Sequence, residues 1–259
     1  MSDCWSWSNA VDATGTLISS TVGSSGELLP TNLRDPRVGK IWRAGATEAT
    51  LNIALPDVGA VSIFGLFGLN YAAIGAITLK LGTEPGNGDL WQETFQPSGR
   101  QAVFVLRDAD GALDPVAAAH ATVSVASGAP LEIGRIWLGT ADWEPTVGHS
   151  VEGSGWQFQD LSRISRTPRT GAVLIDRGNR LRTFTANYDM LSESEYSETL
   201  MDMDERGLAQ QMLFVPNSLV YSSAKFAVLG YILGEQELPA TDWRAFMTAG
   251  RSITITEAG

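Results

Sequence analysis

The chain has 259 residues, of which 44% are hydrophobic, enough for one large β domain or for two domains of ordinary size. Its formal net charge of -11, from 29 acidic and 18 basic residues, repels a phosphate backbone, so nucleic-acid binding is not expected. The single cysteine, Cys4, excludes an internal disulfide framework and a thiolate-based zinc cluster.

Neither a membrane span nor an export signal is predicted. The longest uncharged stretch, residues 58–78, is interrupted repeatedly by glycine, whereas a spanning helix needs about 20 continuously apolar residues. Residues 1–6 lack a basic segment followed by an apolar run, which a secretion signal would have. We therefore expect synthesis and folding in the cytoplasm, without membrane insertion.

Short strands separated by turns are predicted in the first half of the chain. Leu51, Ile53 and Leu55 alternate with polar or small residues, and a turn pattern follows at 56–59, so we expect a hairpin there. Residues 61–67 are apolar on both faces, as in a strand at the centre of a sandwich. Further strands are expected at 77–81, 102–106 and 121–126, with a long loop at 83–98.

The second half has the same β character, interrupted by one helix. Ser192 and Glu195 form a capping-box pattern, and Gly207 is a typical stop, so we predict a helix at 193–206. Strands are expected at 131–138, 156–160, 172–176, 181–188, 212–215, 227–233 and 252–256. The predicted fold class is mostly β: two β-sandwich, jelly-roll-like domains, 1–129 and 130–259, with one short helix in the second.

Catalytic and metal-binding patterns are not found in the sequence. His120 and His149 each lack a second ligand at metal-binding spacing, and no nucleophile elbow or phosphate-binding glycine loop occurs. Asp108, Asp110 and Asp114 resemble an incomplete calcium loop, and a polar turn is favoured. We expect no enzyme, no cofactor and no bound metal; a depolymerase would need carboxylates paired in space, which linear sequence leaves open.

Two clusters of charge stand out in the second half. Six arginines are close together in sequence, and an ion-paired, solvated sheet face is the favoured interpretation; they are Arg163, Arg166, Arg169, Arg177, Arg180 and Arg182. Asp202, Asp204 and Glu205 crowd the end of the predicted helix, where the helix dipole disfavours negative charge. This arrangement motivates the hypothesis that a basic partner binds there.

The tryptophans suggest both core packing and a ligand contact. Trp42, Trp137 and Trp156 lie in or beside strand patterns and are predicted to fill sandwich interiors. Trp91 lies instead in a glycine- and proline-rich segment, with hydrogen-bonding neighbours. We therefore predict a glycan contact formed by Trp91, Asp89 and Gln92; the alternative is that this tryptophan folds back over an edge of the core.

The region from residue 30 to residue 126 resembles the opening of discoidin-like, galactose-binding-type domains. The segments that carry the resemblance contain a tryptophan before a strand and then a buried strand; they are 32–37, 41–44, 51–56 and 61–70. This resemblance implies a jelly-roll sandwich in the first half.

The second half is similar to minor tail or distal tail proteins of long-tailed, non-contractile bacteriophages. The residues that carry the resemblance are 131–139, 155–156, 160–162, 166–167, 213–216 and 253–257. It implies a structural virion protein of the tail tip or baseplate, made in the cytoplasm of the bacterial host and located in the virion tail. Such a protein forms a repeated, ring-like assembly and has no catalytic residues.

That resemblance also implies partners. These are other copies of the chain, other tail proteins (tube, hub and tape-measure region) and host surface polysaccharide. The alternative from another class of protein is a free-standing carbohydrate-binding module.

Overall fold

The computed structural model describes residues 2–24, 26, 28–70, 74–97, 99–127, 129–166, 173–176, 178, 180–206, 209–218, 225–232 and 251–258. It confirms a mostly β chain, built from antiparallel sheets. The strands are β1 (Cys4–Ser6), β2 (Leu17–Ser20), β3 (Trp42–Arg43), β4 (Glu48–Val61), β5 (Ile63–Phe67), β6 (Ile74–Gly82), β7 (Trp91–Phe95), β8 (Gln101–Val105), β9 (Val116–Ser127), β10 (Glu132–Ile133), β11 (Arg135–Gly139), β12 (Gly155–Asp160), β13 (Arg163–Arg166), β14 (Val173–Asp176), β15 (Arg180–Tyr188), β16 (Met212–Val215), β17 (Val228–Ile232) and β18 (Arg251–Glu257).

Helical structure is confined to short segments in the part of the chain that the structure describes. Two 3-10 turns, Ala10–Asp12 and Pro30–Arg34, lie in the first half. A π-helical turn, Glu195–Leu200, continues directly into helix α1, Met201–Arg206. Over the described residues, no helix has both the length and the apolar character that crossing a bilayer requires.

The chain divides into two compact units. The first contains Met1–Pro145 and Met212–Ala227, and the second contains Thr146–Gln211 and Val228–Gly259. Strands β10 and β11 belong to the first unit because they pair with β3 and β5. The predicted domains, 1–129 and 130–259, divide the chain at other residues and stay a prediction.

The first unit contains a β-sandwich. One sheet has the order β2-β4-β9-β6-β7 and the other has the order β11-β5-β8. Alternate residues of both sheets meet in one hydrophobic core, among them Leu51 and Val123 from the larger sheet and Phe64 and Ile136 from the smaller. Strand β5 is buried at every residue, which confirms the sequence prediction of a central strand.

Two local predictions in this unit are wrong. The pattern at 56–59 does not turn the chain into a hairpin, because β4 runs through it as one strand, and only the pairing with β9 is interrupted, between Ala54 and Gly59. Pro56 has no N–H to donate and lies in this bulge, where no donor is needed. The predicted loop at 83–98 contains a strand, β7, which pairs with β6.

In the second unit, four strands are hydrogen-bonded in the order β17-β18-β15-β12. One face is apolar and buried, with Phe184 and Ile255 opposite each other in register. The other face is polar, and the hydroxyl groups of Thr183 and Thr256 lie 2.9 Å apart across the strands. This alternation follows from the period of two in the sequence and confirms the strands predicted at 156–160, 181–188 and 252–256.

The predicted capping box is formed. The Ser192 N–H donates to the Glu195 carboxylate at 2.9 Å, and the Glu195 N–H donates to Ser192 Oγ at 3.2 Å. Leu191 and Tyr196 on either side of the cap are both buried. The helix predicted at 193–206 is confirmed, while its predicted stop, Gly207, lies outside the described residues.

Changing Glu195 to Gln is expected to lower the free energy of unfolding by about 0.5–1 kcal/mol at pH 7. Burial raises the pKa of the Glu195 carboxyl, but hydrogen bonds from Ser192 and Thr146 outweigh it, so its pKa lies below the ordinary value of 4.5. The ionised carboxylate therefore stabilises the folded state fully above the ordinary pKa of 4.5. This stabilisation is lost as the pH falls through the lowered pKa of the folded state. Urea unfolding at pH 7 and pH 3 should show the difference between wild type and Glu195→Gln shrinking at the lower pH; a constant difference would contradict this assignment.

Candidate functional site

Trp91, the centre of the predicted glycan contact, lies at the start of strand β7 and is half-buried. Its ring packs against that of Phe104, with 5.6 Å between ring centroids. Phe104 stacks in turn on Phe95 at 5.4 Å, and Phe95 meets Phe64 edge-on at 5.7 Å. The four rings form a row that runs from the buried core to a half-buried end at Trp91 and Phe104.

Asp89 lies in the bend before β7, and Trp91 and Gln92 are the first two residues of that strand. The Asp89 carboxylate accepts hydrogen bonds from the backbone N–H and hydroxyl of Thr83, at 3.1 and 2.8 Å, and these bonds hold its pKa below the usual value. Gln92 follows Trp91 in a strand, so their side chains leave opposite faces of the sheet. The three-residue glycan contact stays a prediction.

Sequence reasoning missed Phe104 as the neighbour of Trp91. Trp91 and Phe95 share a face of β7, but the exposed Glu93 lies between them on that face. The alternation that identifies a strand facing the core is therefore interrupted, and the only local signal is the pair of rings four residues apart.

The acidic turn around Asp108 closes on itself. The Asp108 carboxylate accepts from the backbone N–H groups of Asp110 and Ala112, at 3.0 and 2.8 Å, as in the polar turn that the sequence favoured. Within the described ranges, no three His, Cys, Asp or Glu side chains are grouped so as to hold a metal ion. His149 packs edge-on against Phe184 instead, with ring centroids 5.4 Å apart.

The acidic residues at the end of helix α1 are largely neutralised within the chain. Asp202 pairs with Arg206 at 3.2 Å, and Asp204 pairs with Arg251 at 2.6 Å. Glu205, by contrast, is exposed. A basic partner at this end of the helix would therefore meet Glu205 rather than the two aspartates.

Strands β13 and β14 of the second unit form an exposed β-hairpin, which we call the arm. The arm continues the β12–β15 pair, and the register shifts by one residue between the pairs Asp160–Arg180 and Arg163–Asp176. Gly178 lies at this shift, where an added Cβ would be 2.4 Å from the Leu161 backbone. A glycine is needed there because two backbones approach closely.

The arm exposes apolar and basic side chains together. All four residues of β13 are exposed, and Ile164 and Val173 are 71% and 51% exposed. Val173 lies directly opposite Arg166, and Ile164 is two residues before Arg166, so these three side chains share one face. A two-stranded hairpin is at best marginally stable in water by itself, so this face is suited to contact with another molecule.

The predicted arginine cluster is thus divided between two roles. Arg180 pairs with Asp160 at 3.3 Å and Arg182 with Glu257 at 2.7 Å, as expected for an ion-paired sheet face. Arg163 and Arg166 lie on the arm instead. Arg169 and Arg177 lie outside the described residues.

No protein-family model and no curated protein sequence matches the chain. Among solved structures, CpGH89CBM32-6 of Clostridium perfringens is 14% identical, with a TM-score of 0.40 over 51% of this chain and 98% of that one. A mutant form of chitosan-binding module 1, from the chitosanase/glucanase of Paenibacillus sp. IK-5, is 12% identical, with a TM-score of 0.40 over 51% and 98%.

A fucosidase of Ruminococcus gnavus, in complex with fucose, is 15% identical, with a TM-score of 0.44 over 52% of this chain. The match spans 27% of the length of the fucosidase chain. These three matches are likenesses of fold.

Proposed function

We propose that the chain is a non-catalytic structural subunit of a phage tail tip or baseplate, and that its copies assemble through the arm. The observation that carries the proposal is the exposure of Ile164 and Val173 on a hairpin of two strands. Exposed apolar strands of this kind promote aggregation of a monomer unless another chain covers them. Assembly of identical copies would cover it.

The amount of apolar surface that the arm could bury predicts weak self-association of the chain, which depends on protein concentration. Ile164, Val173 and Phe158, which is 68% exposed on β12, are large apolar side chains on the arm and the strand that leads to it. Fully burying an exposed side chain of this size contributes about 1.5–3 kcal/mol, and these three are already partly buried, so together they contribute roughly 3–6 kcal/mol. Association itself costs an estimated 4–15 kcal/mol. One contact of this size gives weak association, and a closed ring, in which each copy makes two contacts, is stronger.

Changing Ile164 and Val173 to Ser together is expected to abolish self-association. Sedimentation velocity over a range of concentrations should show wild type forming species larger than a monomer, while the double variant stays monomeric with an unchanged circular dichroism spectrum. Leu17→Ser is the control, because Leu17 is 70% exposed on β2, away from the arm in sequence. The proposal fails if wild type is monomeric at every concentration, or if the double variant assembles like wild type.

The location in the virion tail, and contact with tube, hub and tape-measure proteins, belong to the same proposal. Their support is the resemblance of the second half to tail proteins, in segments such as 131–139 and 253–257. Residues 253–257 lie in β18, an inner strand of the second unit's sheet. Synthesis in the cytoplasm of the bacterial host follows from that role.

A second candidate function is host-glycan binding, favoured by the half-buried end of the aromatic row. Trp91 and Phe104 are aromatic rings of the kind that line ligand pockets, and the indole of Trp91 also has an N–H donor. A glycan array comparing wild type with Trp91→Ala tests this candidate, with Trp156→Ala as the matched tryptophan control. Binding that is lost only in Trp91→Ala would support it, and absence of binding by wild type would contradict it.

A further inference from the structure

We infer that the arm of one copy docks on the helix of a second copy, on a stripe of exposed residues formed by Glu198, Met201 and Glu205. The inference rests on the proposed function, and it adds the surface that receives the arm. It thereby predicts a head-to-tail contact, in which the arm of one copy meets a different surface, the stripe, of the next copy.

The stripe is defined by the burial pattern of the helical segment. Tyr196, Leu200 and Met203 are buried, so they form the buried side of the helical segment. Glu198, Met201 and Glu205 are spaced by three and four residues and are all exposed. Met201 and Glu205 are four residues apart in α1, so they lie along one side of the helix. Glu198 lies in the π-helical turn just before α1 and is also exposed, so an acidic residue precedes and follows the exposed methionine.

The arm is complementary to the stripe in charge and in polarity. Its docking face combines Ile164 and Val173 with Arg166, an apolar surface with a positive charge. The stripe combines Met201, which is 45% exposed, with two carboxylates. Methionine adapts to the shape of a partner, and the guanidinium group of an arginine forms strong hydrogen bonds with carboxylates.

The charges on both surfaces are available for a partner. The neighbouring Asp202 and Asp204 are already paired within the chain, with Arg206 and Arg251. Considering only the described ranges, no ion pair reaches Glu198, Glu205 or Arg166. These three groups are therefore the charges that an interface would use.

Every copy of the chain carries both the stripe and the arm face that complements it, and the two surfaces do not meet within one chain. We therefore assign the arm of a second copy as the occupant of the stripe. The arm face and the stripe are both exposed in the same molecule. A contact between two different surfaces of identical chains is heterologous, and it closes into a ring or extends into a filament. The net charge of -11 makes copies repel one another in general, so a local positive patch on the arm determines where they join.

The test is charge reversal with mixing. Arg166→Glu and the double variant Glu198→Arg, Glu205→Arg are each expected to weaken self-association at least about tenfold in sedimentation velocity, because like charges would face each other. An equimolar mixture of the two proteins should recover the sedimentation of wild type, because each reversed surface now faces its complement. Recovery in the mixture also shows that both variants are folded. Glu84→Arg, an exposed glutamate in the first unit, is the control and should behave like wild type.

Each remaining outcome has a separate meaning. If Arg166→Glu weakens association but the helix variant does not, the stripe is not the receiving surface and the inference is overturned, while the proposed function stands. If both variants are weakened and the mixture does not recover, the pairing of arm and stripe is overturned. If wild type does not associate at all, the proposed function fails together with the inference.

Discussion

Changing Trp137 to Ala is expected to lower the free energy of unfolding by about 3–5 kcal/mol. The ring is 1% exposed on β11, and its Nε1–H donates to Ser6 Oγ at 3.1 Å. Trp137 lies opposite Gly65 of β5, on the face of the smaller sheet away from Phe64 and Ile136. Because the side chain is buried, its loss would leave a large cavity on that face.

The measurement is chemical unfolding followed by far-ultraviolet circular dichroism. Trp91→Ala is the matched control, because this ring is half-buried and its removal exposes less apolar surface. We expect Trp91→Ala to lose less than half as much stability as Trp137→Ala. Equal losses for the two variants would contradict the assignment of Trp137 to a fully packed interior.

Changing Asp12 to Asn is expected to destabilise the chain by about 2–3 kcal/mol. Its carboxylate lies 2.5 Å from Nη2 of Arg135, whose side chain is 1% exposed. Removing one partner of a buried ion pair costs about 3–5 kcal/mol, because the other charge is left uncompensated. Asp12 itself is 42% exposed, so water replaces part of the lost interaction and the expected loss is smaller.

Asp35→Asn is the control for this prediction. A hydrogen bond from Arg37 lowers the pKa of Asp35 strongly, but Arg37 is solvent-exposed, and water solvates its charge when the pair is broken. Urea unfolding should therefore show a much smaller loss for Asp35→Asn than for Asp12→Asn. If Asp35→Asn lost more free energy of unfolding than Asp12→Asn, the claim that the burial of Arg135 makes its ion pair important for stability would be contradicted.

The sequence predicts the strands of the sheets well because burial alternates in them with a period of two. Residues 181–188 and 252–256 show this alternation, and the structure pairs them in register, with Phe184 opposite Ile255. The capping box of Ser192 and Glu195 is equally local, since all its hydrogen bonds join residues three apart. Information of this kind is contained within a few neighbouring residues.

Features that depend on distant partners were not predictable in the same way. The bulge of β4 at 55–58 is decided by its pairing with β9, which lies some sixty residues further along the chain. The proline and glycine there indicate a turn when they are considered alone. The position of Trp91 beside Phe104 likewise depends on how β7 and β8 lie over one core.

The exposed face of the arm could be predicted only in part from the sequence. The arginines at 163 and 166 are visible in the sequence, and an ion-paired face was the simplest interpretation of them. Only the strand register shows that Arg166 shares a face with Ile164 and Val173. That combination changes the prediction from a solvated surface to a surface for assembly.

The proposed function is tested most directly by locating the chain in virus particles. Antibodies raised against the purified protein and labelled with gold are applied to particles produced from the genome that encodes it, and electron microscopy shows where they bind. The proposal predicts label at the end of the tail and not on the capsid. Purified particles without any label at the tail tip, from a preparation in which the antibody recognises the isolated protein, would contradict it.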